Sequence, residues 1–268
     1  MGNIYFDLTG ELNREGTIAL LTSGQAVVYY QTAIMSKDGD WILRETRDAC
    51  SRVLSLLGAR GARYRAGAPL DIRWLAGGWS SHLEFQDDRG RRIRCDFMTR
   101  PPRVEAAALE SLFEHREEPG RLQVVDLVTL MRMKRTQRAK DYPVIGELAR
   151  LLPAEVEILF TTDPDRILEL ARTHGKGVDR LPVQEALRGA SREDVAIALA
   201  RETYRYQEED RMRLAEYEKA ARPYQEMLVR GGILEKKLPD AHALIVALAE
   251  EHLPFRPGGP AARKEGTP

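Results

Sequence analysis

The stretch Met35-Ser36-Lys37-Asp38-Gly39-Asp40-Trp41 decides how the first half of this chain is read. Asp-Gly pairs are strong turn formers, and on its own Asp38-Gly39-Asp40 reads as a turn. Read as a strand over 37–42, the same residues place both carboxylates on one face, because side chains alternate with period two. Two neighbours favour the strand. Ser23-Gly24 stands shortly before it, and Asp96 follows in the run Ile93-Arg94-Cys95-Asp96-Phe97. In that run Ile93, Cys95 and Phe97 face one way, while Arg92, Arg94 and Asp96 face the other. Asp38, Asp40 and Asp96 together offer hard oxygen donors, the set that Mg²⁺ (or Mn²⁺) takes when it carries a nucleoside triphosphate.

Working outward, 17–22 is an apolar run suited to a buried strand or a helix start, broken by Ser23-Gly24. A short helix is expected over 25–31 and a longer one over 44–57, where Ala49, Val53, Leu56 and Leu57 share a stripe. Gly58 and Gly61 end it. Residues 70–75 and 80–86 read as strands separated by a bend or bulge at Gly77-Gly78. Asp87-Asp88-Arg89-Gly90 is a turn, and 91–98 is the partner strand. Pro101-Pro102 stops the pairing.

From about residue 104 the pattern is helical. Helices are expected over 124–135, over 145–152 after a break at Asp141-Tyr142-Pro143, and over 163–174. Two more are expected over 192–231, broken or kinked at Pro223, and over 240–252. The charges between Glu202 and Lys219 alternate in sign, as on a solvated helix face. The order of elements predicts an α/β (α+β) domain over 1–150, a mixed sheet flanked by helices. A helical C-terminal domain over 151–253 and a disordered tail over 254–268 follow.

Composition narrows the class. The 268 residues carry 41 basic and 41 acidic side chains, so any nucleic-acid contact is local rather than spread over the molecule. No apolar run is long enough to cross a membrane, and no N-terminal signal pattern is present, which predicts a cytoplasmic protein. Cys50 and Cys95 read as buried thiols. His115, His174, His242 and His252 lack zinc-ligand spacing, His82 reads as structural, and Glu117-Glu118 as solvated loop acids. Gly77-Gly78 is too short for a dinucleotide fingerprint, and no Ser/His/Asp arrangement for nucleophilic hydrolysis stands out.

The order Ser23-Gly24, short helix, Asp38-x-Asp40, later Asp96, and a helix running into Lys134-Arg135-Thr136-Gln137-Arg138-Ala139-Lys140-Asp141 resembles the nucleotidyltransferase fold of the DNA polymerase beta superfamily. It looks most like small bacterial members of the abortive-infection toxin type, over roughly 15–150. The resemblance implies that Ser23 and Gly24 lie against a triphosphate and that Asp38, Asp40 and Asp96 hold one or two Mg²⁺. It implies that Lys37, Lys134, Arg138 and above all Lys140 supply cations toward the nucleotide. The implied activity moves a nucleotide from an NTP to a hydroxyl on RNA, protein or a small molecule.

The chain departs from that pattern at three places. Tyr30-Gln31 replaces His-Gly, Met35-Ser36-Lys37 replaces Arg-x-Thr, and Gly-Ser is inverted. Ser36 and Lys37 can replace the lost hydroxyl and cation. The departures also leave open a catalytically reduced protein that binds a nucleotide, or a partner protein through its helical half.

Overall fold

The computed structural model describes residues 2–114 and 122–259. His115, Glu117, Glu118 and residues 260–268 of the expected tail lie outside the described residues. The chain forms two compact units: Met1–Tyr29, Ala33–Val125 and Ala215–Pro268 make the first, Tyr30–Thr32 and Asp126–Leu214 the second.

The elements begin with α1 (Ile4–Leu12), β1 (Ala19–Thr22), α2 (Ser23–Tyr29), β2 (Asp38–Leu43), α3 (Arg47–Ala59) and β3 (Arg63–Tyr64). There follow α4 (Ile72–Leu75), β4 (Ser81–Gln86), β5 (Arg92–Met98) and α5 (Ala106–Leu109). The helical half holds α6 (Leu127–Met133), α7 (Asp141–Ala149), α8 (Ala154–Glu157), α9 (Pro164–His174), α10 (Leu181–Leu187), α11 (Arg192–Arg230) and α12 (Leu238–His252).

The first unit is an α/β structure on a five-stranded mixed sheet of order β1-β2-β5-β4-β3, as the element pattern predicts. Within this sheet β2 and β5 pair in parallel, and β1–β2, β5–β4 and β4–β3 pair antiparallel. Alternation on β5 is strict, with Ile93, Cys95 and Phe97 buried and their neighbours partly or fully exposed. On β2, Trp41 is fully buried, stacks on Phe97 at 5.2 Å and donates from Nε1 to Thr9 Oγ1 at 2.8 Å. That contact fixes α1 on the sheet. Helix α1 has no counterpart in the sequence reading, although Asn3 caps it by accepting from Tyr5 N. Asn13 then ties its end to β1, accepting from the backbone N–H of Ile18 and Ala19.

Several expected elements change type or length. Residues 70–75 hold helix α4 rather than a strand, because the Asp71 side chain accepts from Arg73 N and caps a helical turn. Helix α6 starts at Leu127, not at 124. Val124 instead forms a parallel bridge to Leu21, with Leu21 N donating to Gln123 O and Val125 N to Leu21 O. Asp141, Tyr142 and Pro143 open α7 instead of breaking a helix, since proline is tolerated in a first turn. Helix α11 is one element of 39 residues that runs through Pro223.

At Gly77-Gly78 the reason for glycine is close approach. A Cβ on Gly77 would collide with the Phe255 carbonyl, and one on Gly78, at φ +94°, would sit 2.5 Å from Tyr217 Oη. The start of the expected tail is packed for the same reason: Trp79 Nε1 donates to Pro254 O at 2.9 Å and Trp74 packs on Phe255.

The second unit is helical. Ile158, Ile167, Leu170, Val183 and Val195 form its core. Glu202, expected on a solvated face, is buried with Arg180, and Asp210 is buried where Gln137 N donates to it. No helix among the described residues is long and apolar enough to cross a membrane.

Candidate active site

Asp38 and Asp40 lie on β2 and not in a turn. The parallel register sets Asp40 beside Asp96 and Asp38 beside Arg94. Thr22 lies opposite Asp40 on β1, and His82 lies opposite Asp96 on β4. One face of the sheet therefore carries a row Thr22, Asp40, Asp96, His82 across four strands. A second row of Asp38, Arg94, Glu84 and Arg63 runs beside it on β2, β5, β4 and β3.

Gly39 separates the acids because its other face has no room. A Cβ there would run into the rings of Tyr5 and Trp41. Tyr5 Oη donates to Lys37 O at 2.6 Å, and burial pushes its phenol up to about 12, so it stays protonated and donates.

The turn after β1 abuts the same end of the sheet. Ser23 has φ +51°, an uncommon left-handed value for a residue with a Cβ. Gly24 packs so close to Ser36 that a Cβ would collide with its Oγ. Gln25 Nε2 donates to Ser36 O at 2.9 Å, and Ser36 Oγ reaches Asp38 O at 3.4 Å. The Ser23-Gly24 turn is thus held against the loop that leads into Asp38. The Lys37 side chain on that loop is exposed.

The acids have cationic neighbours. Arg65 Nη1 donates to Asp96 Oδ1 at 3.2 Å, and His82 Nδ1 lies 2.9 Å from the same oxygen without hydrogen-bond alignment. Arg94 Nη1 lies 3.5 Å from Asp38 Oδ1, and both of those side chains are more than a third exposed. Such a pair is worth little and is readily displaced. Among the described residues no three His, Cys, Asp or Glu side chains are gathered as a ready-made metal cage.

That arrangement still fits Mg²⁺. The ion usually takes one or two protein carboxylates and completes its shell with water and substrate phosphates, not with a full protein cage. Asp40 and Asp96 stand side by side, and both Arg65 and His82 approach Asp96 at Oδ1. Asp96 Oδ2 has no protein partner among the described residues. Asp38 lies two residues along the same face, beside Arg94.

The remaining predicted cations belong to the second unit. Lys134 is buried with its Nζ 3.6 Å from Asp141, and Arg138 Nε donates to the same carboxylate at 2.9 Å. Thr136 Oγ1 donates to it as well. Lys134 and Arg138 therefore neutralise Asp141, a structural role in the turn before α7. Lys140 is exposed at the N-cap of α7.

The sequence reading passed over Arg65 and Arg94 and took His82 as structural. The signal for His82 was the hairpin. Asp87 accepts from Arg89 N and Arg91 N in the turn, and counting back from it puts His82 against Asp96 and Glu84 against Arg94. Arg65 follows the two-residue strand β3, too short to leave a periodic trace.

No protein-family model matches this chain, and no curated protein matches it. Among solved structures, a crystal structure of a provisionally assigned nucleotidyltransferase from H. pylori is similar at 12% identity. The match covers 77% of this chain and 94% of that one at a TM-score of 0.36, a likeness that carries no argument about fold or activity.

Proposed function

We propose that the polar face of β2 and β5 binds a Mg²⁺-bound nucleoside triphosphate and transfers its nucleotide to a hydroxyl acceptor. The observation that carries this reading is the register of Asp40 beside Asp96 on parallel strands, with Asp38 on the same face and the Ser23-Gly24 turn at its end.

In this reading Asp40 and Asp96 would hold the metal, and Asp38 on the same face would supply a further carboxylate. Mg²⁺ held there would neutralise the charge of the departing pyrophosphate and lower the pKa of the hydroxyl whose oxygen takes the α-phosphate. The chain's own residues bind and orient. The Ser23-Gly24 turn offers backbone close to phosphate oxygens, as only glycine permits against Ser36. Arg65 holds Asp96 through Oδ1 and leaves Oδ2 for the metal. Lys37, exposed beside Asp38, supplies a cation at the nucleotide's edge.

A second reading has its own observation. The pairs Arg65–Asp96 and Arg94–Asp38 put guanidinium groups on Asp96 and Asp38, as in a protein that binds a nucleotide or partner without turnover.

Transfer separates the two readings. Purified protein is incubated with Mg²⁺ or Mn²⁺, each α-labelled NTP in turn, and a pool of RNA and protein acceptors. Wild type is expected to label an acceptor. Asp40→Asn is expected to lose at least about a hundredfold, on the order of 2.7 kcal/mol of transition-state stabilisation. Equal labelling by the variant removes the site assignment. No labelling by wild type, with nucleotide binding intact, selects the second reading.

A further inference from the structure

The helical unit contains a cavity of about 630 Å³ among α6, α10 and α11 that the reading above does not use. Its wall holds Arg132, Arg135, Arg180, Arg201 and Arg205 against only two acids, Asp179 and Glu202. The acids are already engaged. Arg180 reaches both oxygens of Glu202, its Nη2 at 2.8 Å, and donates from Nη1 to Ile158 O at 2.9 Å, all away from solvent. Asp179 accepts from Gln184 Nε2 at 3.0 Å.

The other cations are held in place without being neutralised in full. Arg135 lies over the rings of Phe160 and Tyr206, at 5.0 and 4.6 Å, and donates to Tyr206 Oη and Leu159 O. Ring faces and these acceptors help orient its guanidinium in the cavity wall. Arg205 also lies over Tyr206, at 4.9 Å, with Glu209 3.8 Å away. Arg132 and Arg201 have no ion-pair or hydrogen-bond partner among the described residues and are exposed. Arg201 and Arg205 stand one helical turn apart on α11, a mildly unfavourable like-charge spacing.

We propose that this cavity binds a phosphate-bearing ligand of nucleotide size. Its volume lies in the range of small-molecule sites. A single carboxylate would leave most of the arginine charge unmatched. A phosphate carries ~1.5–2 negative charges and several acceptor oxygens, and guanidinium forks match it bidentately. The ligand is a free nucleotide or one nucleotide of an RNA strand, which share this chemistry. The proposal does not rest on the metal site of the first unit.

The test uses the full chain in EDTA, so that metal-dependent nucleotide binding on β2 and β5 is silent. Equilibrium dialysis measures labelled ATP, labelled adenosine and a ~10-nucleotide single-stranded RNA. A phosphate-bearing probe is expected to bind, adenosine is not, and added salt should weaken the binding. Arg132→Gln/Arg201→Gln should weaken it at least about tenfold, while Asp40→Asn leaves it unchanged. Both arginines are exposed, so the double variant should melt like wild type. If it does not, Arg201→Gln alone carries the test. ATP binding as tightly as the oligonucleotide assigns a free nucleotide as the ligand, and much tighter oligonucleotide binding assigns an RNA strand. Equal binding of adenosine, an undiminished double variant, or no binding of either phosphate-bearing probe below about 1 mM overturns the proposal.

Discussion

Asp-Gly-Asp is usually a turn, and here Gly39 makes it a strand. The glycine faces the buried side of β2, where the Tyr5 and Trp41 rings occupy the space a side chain would need. The acids flank it because their own side of the strand is polar. Gly39→Ala should therefore destabilise the first unit by about 1–3 kcal/mol through overpacking. Urea unfolding would measure it, and a midpoint equal to wild type would show that the rings move aside freely. The same logic reaches Gly24, whose missing Cβ admits Ser36, and Ser23, which accepts a left-handed backbone to make the turn. None of this steric detail is readable from residue names. The acidic residues were legible because the strand period alone puts Asp38 and Asp40 on one face. Their partners Arg65 and Arg94 were not, because nothing local in the sequence says which cation an acid will meet.

Among the elements, β2, β4, β5 and the Asp87–Gly90 turn were legible from alternation and turn chemistry, and they position the candidate site. The long periodic helices α9, α11 and α12 were legible as well. Short helices fixed by a cap or by a neighbour were not. A single side-chain bond from Asp71 turns 70–75 from strand to helix. Pairing with Leu21 draws Val124 out of the helix that its spacing suggests. Helix α12 also brings a testable contact to β3. Tyr64 Oη, buried and accepting from Leu70 N, shares a hydrogen bond with His242 Nδ1 at 2.8 Å, with the donor set by the ring's tautomer. Burial, ahead of nearby charges, holds His242 below its ordinary 6.5. Above that value the ring is neutral in the folded and unfolded chain alike. As pH falls below it, the unfolded chain binds a proton that the folded ring resists, so stability is lost down to the depressed folded value. Melting temperature should drop as pH falls below about 6.5. His242→Gln, which keeps a hydrogen-bond partner for Tyr64, should show a shallower drop. An unchanged slope would remove His242 from the account.

For the whole molecule, zero net charge conceals a strong local separation. The first unit gathers Asp38, Asp40 and Asp96 on one end of its sheet, and the second gathers arginines around a cavity. The one face offers ligands for a cation and the other for an anion, an arrangement that composition averages away. The central claim is that the face bearing Asp40 and Asp96 holds a divalent metal together with a nucleoside triphosphate. The most direct measurement is the electron paramagnetic resonance of Mn²⁺ titrated into the protein with ATP present. Wild type should take up Mn²⁺, and Asp40→Asn and Asp96→Asn should each weaken uptake at least about tenfold, or ~1.4 kcal/mol. Arg94→Gln, which frees Asp38, should not weaken it. Uptake that is equal in wild type and in both aspartate variants would contradict the claim.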